Sequence, residues 1–359
     1  MMKIVYQSDV ILPSEGADSV HVMNICNSLS ILGVEVILIA KEGSIPEDIF
    51  SYYGLKKTFK ILTIKSCNIR FFGGLIYGFK ALSKIKKVNK INYIYSRSMH
   101  SLIWSKNLKI PFLFESHWKP HKKIYYFFQK LFFNSKNFKE LIVISNHLRL
   151  IYEKLFPEIK GKIHVLHDAS NMHILKRKRT NVEKLNIGYV GSLSLGQGYE
   201  LIPELAKNNS KHNFHIYGGD QKKVDFLRDK YKLENLFIYG HIPHRDIGHE
   251  ILKMDVMLAP FQKDLKSLGW ASPMKIFEYM SYFKPIICSD FRVFREILSE
   301  KNSILVESNN IVSWSNAIKL LESKELRYQI ASNAYHDFKN HYTWKKRAQK
   351  LYLIIKNPK

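Results

Sequence analysis

The sequence predicts an α/β protein made of two Rossmann-like domains of similar size with a cleft between them. Its 359 residues are more than a single hydrophobic core usually organises. Short apolar runs alternate with segments whose apolar residues recur at helical spacing, which is typical of parallel sheets covered by helices. The alternation is interrupted once, at residues 171–185, and then resumes, so we expect one sheet on each side.

Each series contains six predicted strands. The first six lie at residues 3–6, 34–40, 58–64, 93–95, 112–115 and 141–144, and the second six at 186–190, 213–217, 236–239, 256–259, 285–288 and 304–306. A helix over 20–32 is expected to end at Gly33. The predicted organisation is an N-terminal domain (1–170), a linker (171–185) carrying Lys-Arg-Lys-Arg, a second domain (186–341) and an amphipathic basic helix (342–359).

Charge is the strongest compositional signal. There are 56 Lys and Arg against 31 Asp and Glu, a net charge of +25, and positions 1–180 hold 29 basic and 12 acidic residues, an excess of 17 of those 25. Such a field attracts nucleic acid, anionic lipid or phosphorylated substrates. A Lys/Asn/Ile-rich bias of the genome is the alternative explanation.

Other features of composition narrow the class of protein. Cys26, Cys67 and Cys288 are too widely spaced for a disulfide framework or a zinc site. No apolar run reaches the roughly 18–20 residues that span a bilayer, and the first residues do not resemble a signal peptide. A cytoplasmic protein is therefore expected.

The run from Ser272 to Met280 carries the sharpest chemical signal. Pro273 suits the first turn of a helix, and Lys275 and Glu278, three residues apart, share one helix face. A helix start beside a lysine attracts phosphate, and a carboxylate one turn later can accept hydrogen bonds from ribose hydroxyls. The pattern predicts a nucleoside-diphosphate site built without metal.

A glycine-rich turn opens the second domain at residues 188–198. Gly191 and Gly196 imitate the spacing of a P-loop, and such a turn lets backbone N–H groups approach a phosphate. However, Gln197 and Gly198 stand where a P-loop requires Lys and Ser/Thr, and no G-x-G-x-x-G follows the strand. ATPase and dinucleotide fingerprints are thus excluded.

The first domain offers two candidate positions. Gly16, in the loop after the first strand, would permit close approach of a ligand, and Ser19 could cap the helix that follows; a plain βα turn is the alternative. His117 follows a predicted strand, where α/β folds place ligand groups, and could exchange a proton or polarise a sugar hydroxyl. An ordinary hydrogen-bonded surface histidine is the alternative.

Two stretches, 70–90 and 121–139, mix aromatic residues with lysines. Such helices can lie on an anionic membrane surface, or they can bury the aromatic rings in the core and leave the lysines solvated. The sequence contains no D-x-D, no G-x-S-x-G and no cluster with metal-ligand spacing.

These segments together resemble retaining glycosyltransferases of family 4, which have the GT-B fold. The resemblance runs from end to end, through residues 2–40, 115–117, 188–198 and 270–278, to Trp344 at the start of a terminal helix that packs back on the first domain. The specific part is S-P-x-K-x-x-E-Y-M at 272–280. The family's E-x7-E element aligns with Trp270 and Glu278.

The resemblance implies a nucleotide-sugar donor bound by the second domain and an acceptor bound by the first, with no cofactor and no metal. The implied catalytic residues are His117, near the anomeric carbon, and Glu278, on the ribose. The implied donor-binding residues are Gly16, Gly191, Ser192, Gln197, Ile242 (base pocket), Ser272, Pro273, Met274, Lys275 and Glu278. The leaving phosphate would act as base for the incoming hydroxyl.

Three positions depart from the family pattern. Trp270 replaces the first glutamate, and Ser192 and Gln197 replace the usual phosphate-binding arginine and lysine, so Lys275 would have to compensate. A catalytically impaired member therefore remains an alternative, as do another GT-B enzyme such as a sugar-nucleotide epimerase and a basic nucleic-acid-binding protein.

The leading hypothesis is a metal-independent hexosyltransferase acting on a lipid-linked or cell-surface polysaccharide acceptor. We expect it to lie at the inner face of the plasma membrane, bound to anionic lipid, and not to bind nucleic acid.

Overall fold

The computed structural model describes residues 1–65, 73–173 and 183–358. Its strands are β1 (Lys3–Leu12), β2 (Glu35–Glu42), β3 (Lys60–Ile64), β4 (Tyr93–Ser96), β5 (Phe112–Ser116), β6 (Phe138–Val143), β7 (Ile163–Val165), β8 (Asn186–Val190), β9 (Asn213–Tyr217), β10 (Leu236–Tyr239), β11 (Val256–Ala259), β12 (Ile286–Ser289) and β13 (Ile304–Val306).

The α-helices are α1 (Ala17–Ile31), α2 (Ile49–Tyr52), α3 (Gly73–Ile85), α4 (Met99–Ser105), α5 (Lys123–Phe133), α6 (Asn146–Leu155), α7 (Ile202–Asn208), α8 (Gln221–Lys230), α9 (Ile247–Lys253), α10 (Met274–Ser281), α11 (Ile311–Leu320), α12 (Lys324–His341) and α13 (Trp344–Lys356). Short 3-10 helices lie at Pro157–Lys162, Tyr199–Leu201 and Phe294–Glu296.

The chain divides into two compact units. The first comprises Met1–Asp168 and Trp344–Lys359, and its parallel sheet has the order β3-β2-β1-β4-β5-β6-β7. The strand order reverses between β1 and β4, which is the topological switch point where α/β sheets bind ligands. Helix α13 belongs to this unit and packs against α1, as predicted for the terminal helix.

The second unit comprises Ala169–Thr343. Its parallel sheet has the order β10-β9-β8-β11-β12-β13, with its own reversal between β8 and β11. Apolar residues on both faces of this sheet are buried against the surrounding helices. The prediction of an α/β protein built on two parallel sheets is confirmed.

Most predicted strands agree with the structure, but some bounds differ. Strand β1 continues to Leu12 rather than ending at Tyr6. Strand β7 was not predicted, because His164 at its centre interrupts the apolar run that marks the other short strands. The predicted linker includes 174–182 and the first basic aromatic stretch includes 70–72, and these residues lie outside the described part of the chain. Within that part, no helix is both long and apolar enough to cross a bilayer.

Candidate functional site

Helix α10 carries most of the residues predicted to bind the donor. It begins at Met274, and Pro273 is its N-cap, with φ −73° and ψ 122°. The prediction that Pro273 lies in the first turn is therefore wrong by one position, because its backbone is extended rather than helical. Apolar residues on the inner side of α10, such as Ile276, are fully buried and fix the direction in which Lys275 projects.

Lys275 lies in a polar and aromatic cage. Its Nζ donates a hydrogen bond to Gln197 Oε1 at 3.0 Å and lies 4.3 Å from the ring centroid of Tyr189 and 4.9 Å from that of Phe261. Burial lowers the pKa of Lys275 to about 7, against the opposing effects of Cys288 and Glu278. The group can therefore gain a proton when an anion arrives.

The glycine-rich turn lies next to Lys275. A Cβ on Gly191 would lie 2.5 Å from Lys275 Nζ, so a side chain at this position would displace the ammonium group. A hydrogen bond holds this turn in place at Gly196, whose carbonyl accepts it from the backbone N–H of Gln262 at 2.9 Å. Ser192 is exposed on the same turn, and its Oγ lies 2.9 Å from Ser194 Oγ.

Glu278 has a partner that the sequence did not reveal. His244 Nε2 donates to Glu278 Oε1 at 2.6 Å. Burial would lower the pKa of His244, but the Glu278 carboxylate outweighs it and the pKa is raised. His244 lies in the loop after β10, only two residues from Ile242, and its separation of 34 residues from Glu278 left no local signal.

The remaining predicted donor residues surround α10 or the β10 loop. Ser272 and Trp270 are buried just before α10, Met274 is half-buried, and Ile242 packs against the apolar cluster of the second unit. The structure thus brings Gly191, Gln197 and Lys275 into contact. It places Glu278 one helical turn further along, beside His244.

In the first unit, His117 follows β5 at the carboxyl end of the sheet. Its Nε2 donates to Glu115 Oε1 at 2.6 Å, and its ring meets that of His21 edge-on at 4.9 Å. Burial and the nearby Arg97 guanidinium lower the pKa of His117 to about 4, although Glu115 acts in the opposite direction. His117 is therefore a neutral imidazole protonated on Nε2, and its Nδ1 is an acceptor.

Glu115 is the centre of a buried network. It contacts Arg347 Nη2 at 2.9 Å, His21 Nε2 at 3.1 Å and the hydroxyl of Tyr95. Burial alone would raise the pKa of Glu115, but Arg347, His21 and His117 hold it well below its usual range. Arg347 belongs to α13, 232 residues away in sequence, so no sequence pattern could have paired it with Glu115.

Asp168 extends this network and raises the question of a metal. His21 Nδ1 donates to Asp168 Oδ1 at 2.7 Å, and His21, His117 and Asp168 offer ligand atoms within 4.8 Å of one another. This is a donor set that Zn²⁺ accepts. However, the guanidinium groups of Arg347, on Glu115, and of Arg97, near His117, offset the charges of the Glu115 and Asp168 carboxylates, so the network has no net negative charge to attract a cation.

Gly16 is the N-cap of α1 and has no side chain to cap it. The expectation that Ser19 caps this helix is wrong. The helix already begins at Ala17, and Ser19 Oγ instead donates to the carbonyls of Gly16 and Ser14 at 2.7 and 2.9 Å. This bond fixes the loop in which Gly16 lies.

The chain resembles known glycosyltransferases in two ways. Residues 172–337 match the family model described as glycosyl transferases group 1. No curated protein matches the sequence. Solved structures match over nearly the whole chain, which gives it the GT-B fold expected from the sequence.

Three of these structures illustrate the match. Alr3699/HepE from Anabaena, in complex with UDP and glucose, has 14% identity, a TM-score of 0.74 and coverage of 99% of this chain and 100% of its own. A variant of TarM from S. aureus, in complex with fondaparinux, alpha-GlcNAc-glycerol and UDP, has 13% identity, a TM-score of 0.75 and the same coverage. WaaG, a glycosyltransferase involved in lipopolysaccharide biosynthesis, has 12% identity, a TM-score of 0.70 and coverage of 98% and 99%.

Residues 172–337 therefore resemble group 1 glycosyltransferases, and the chain as a whole has the GT-B fold.

Proposed function

We propose that this protein is a retaining, metal-independent glycosyltransferase. It transfers a hexose from a nucleoside-diphosphate sugar to a lipid-linked or cell-surface polysaccharide acceptor. The observation that carries the proposal is the contact of Lys275 with Gln197 and Gly191, with Glu278 one turn further along the same helix, within the segment that matches group 1 glycosyltransferases. UDP in two of the matching structures supports a nucleotide donor.

The second unit would bind the donor through two complementary contacts. Lys275, protonated on binding, offsets part of the negative charge of the diphosphate and stabilises the charge that develops on it as the bond to the sugar breaks. Glu278 accepts hydrogen bonds from the ribose, and Ile242 lies where the nucleobase is expected. The backbone N–H of Gly191 donates to the carbonyl of Tyr217 at 3.0 Å, so this glycine would contribute by leaving space beside Lys275 for the phosphates. Together these groups bind the diphosphate without a metal ion.

The first unit would supply His117 to the sugar that is transferred. Its Nδ1 can accept a hydrogen bond from a sugar hydroxyl, while the Nε2–H bond to Glu115 fixes the orientation of the ring. Glu115 is engaged by Arg347 and His21, so it is poorly placed to act as a base. The leaving phosphate is therefore the base for the incoming hydroxyl, which places both on one face of the sugar and retains its configuration.

The direct test is a screen of UDP, GDP, ADP and CMP sugars for thermal stabilisation in EDTA, followed by measurement of nucleotide release. A ligand that binds the folded state alone raises the midpoint, by about 2.7 kcal/mol of stability at 100 times Kd. We expect one nucleotide series to stabilise the protein, with turnover unchanged by EDTA. Stabilisation by none, or a strict metal requirement for turnover, would contradict the proposal.

Donor affinity should fall as pH rises above 7. A bound diphosphate raises the pKa of Lys275 above its free value of about 7, so binding takes up a proton. Affinity is then highest below pH 7 and declines by up to about tenfold per pH unit above it. A nucleotide sugar suits the calorimetric titration, because both its phosphates are esterified and neither titrates in this range. Constant affinity from pH 7 to 9 would contradict this role of Lys275.

One observation, the residue at position 270, favours the alternative that this protein is a catalytically impaired member of the family. Trp270 is buried at the position that aligns with the first glutamate of E-x7-E, so it cannot accept hydrogen bonds from the donor sugar as a carboxylate does. Under this alternative, the nucleotide screen gives stabilisation without turnover.

We also propose that the first unit binds an anionic membrane surface through α5. Ile124, Phe127 and Leu131 are 48%, 54% and 41% exposed, and their spacing places them on one helix face. Lys123 and Lys130 flank this face. Of the other aromatic residues of α5, Phe132 and Phe133 are buried, which agrees with the expectation that part of this stretch packs in the core. A peripheral position at the cytoplasmic membrane follows from this proposal.

The double variant Phe127→Ser, Leu131→Ser tests this surface. We expect wild-type protein to sediment with phosphatidylserine vesicles at low salt and to be released by salt. The variant should bind at least tenfold more weakly, since burying even one such side chain is worth roughly 1.5–3 kcal/mol. Phe226→Ser, at a 57% exposed position of the second unit, is the matched control. Equal binding of wild type to neutral and anionic vesicles would contradict the electrostatic part.

A further inference from the structure

Arg97 lies at the switch point of the first sheet. It directly follows β4, and its backbone N–H donates to the carbonyl of Gln7 in β1 at 2.9 Å. Tyr95 pairs with Leu113 of β5, and side chains two residues apart on a strand share a face. Arg97 therefore continues the face of Tyr95, and His117 continues the same face on the next strand.

Arg97 has no ion pair among the described residues, although carboxylates lie nearby. Glu115 is engaged by Arg347, His21 and His117, and Asp9 is engaged by His100 and Ser98. The Nη1 atom of Arg97 is buried and makes no hydrogen bond to a described residue. The guanidinium is close enough to His117 to lower the pKa of that imidazole.

A guanidinium nitrogen that is buried without a hydrogen-bond partner, like Nη1 of the half-buried Arg97, costs free energy unless an anion meets it. Its planar fork matches the two oxygens of a phosphate or carboxylate. The diphosphate of the donor already has its own cation, Lys275, in the other unit. We therefore expect the anion that binds Arg97 to belong to the acceptor rather than to the leaving diphosphate.

We propose that Arg97 binds the anionic group, a phosphate or a carboxylate, of an acidic sugar acceptor next to His117. This inference rests on the proposed transferase function and specifies its acceptor class. Arg97 would act as a specificity-determining residue that orients the acidic acceptor at the carboxyl end of β4 and β5.

The test is a calorimetric titration with glucose 1-phosphate, glucuronate and glucose. It is run on wild-type protein saturated with the nucleoside diphosphate that stabilises it. The same titration is repeated on the Lys275→Met variant without nucleotide. In this variant, binding of the sugar phosphate at position 275 cannot contribute to the measured heat. The second arm does not require donor binding, so failure of the proposed function can be told apart from failure of this inference.

We expect at least one of the two acidic sugars to bind and glucose to bind at least tenfold more weakly. Arg97→Gln should reduce the affinity for the acidic sugar at least tenfold, Arg97→Lys should retain part of it, and Lys109→Gln, which removes one exposed charge from the same unit, should leave it unchanged. Binding of only the phosphate or only the carboxylate identifies the group.

Thermal unfolding separates a binding role from a structural one. Because Arg97 has no carboxylate partner in the part of the chain that the structure describes, Arg97→Gln should leave the unfolding midpoint unchanged or raised. The inference is overturned if neither acidic sugar binds wild type, if glucose binds as tightly as they do, or if Arg97→Gln binds them as tightly as wild type.

Discussion

Lys275→Met is expected to weaken binding of the nucleotide sugar by about 100-fold, because it removes a charge-assisted contact worth roughly 1.5–3 kcal/mol from a site with little water. Methionine has nearly the length of lysine and keeps the packing against Tyr189 and Phe261. Folding should therefore be retained, and the dependence of affinity on pH above 7 should disappear with the ammonium group. Calorimetric titration from pH 6.5 to 9 measures both effects.

Lys222→Met is the matched control for this prediction. It makes the same substitution at an exposed position of α8 in the same unit, so it reports the general loss of one positive charge. If Lys275→Met and Lys222→Met bind nucleotide equally well, Lys275 does not hold the diphosphate.

Glu278→Gln is expected to reduce nucleotide affinity by about 10- to 100-fold and to reduce turnover with it. The carboxylate accepts charge-assisted hydrogen bonds from ribose hydroxyls, which are about twice as strong as those to an amide. Glutamine preserves the volume and can still accept from His244, which contacts Glu278 in the structure. The loss should therefore reflect ribose recognition rather than collapse of α10.

Deoxynucleotides make this test specific. Wild type should bind the 2′- or 3′-deoxy analogue more weakly than the parent nucleotide, whereas Glu278→Gln should bind the two nearly alike, since the hydroxyl and carboxylate act as a pair. Glu234→Gln, at an exposed position, should behave as wild type. If Glu278→Gln discriminates against the deoxy analogue as strongly as wild type, Glu278 does not contact the ribose.

The sequence predicted the fold and half of the candidate site because both depend on local patterns. The hydrophobic pattern of the sequence predicts the alternation of strands and helices. Lys275 and Glu278 lie three residues apart, which places them on one face of a predicted helix. The glycine turn at Gly191 also has a local signature, although only the structure shows that it meets Lys275.

The rest of the site depends on contacts between residues distant in sequence. Arg347 reaches Glu115 from a helix that follows the entire second unit, and His244 reaches Glu278 from another loop. Neither has a spacing that a sequence pattern could detect. The bounds that were wrong, at Pro273 and Ser19, concern helix starts, where one residue decides between extended and helical backbone.

Helix α10 and the glycine-rich turn are proposed to bind the diphosphate and ribose of a nucleotide sugar. The most direct measurement is a crystal structure with the nucleoside diphosphate that stabilises the protein, grown in EDTA. We expect a diphosphate oxygen within hydrogen-bonding distance of Lys275 Nζ and a ribose hydroxyl hydrogen-bonded to Glu278. A nucleotide bound elsewhere, or one bridged to the protein by a retained metal ion, would contradict this role of α10.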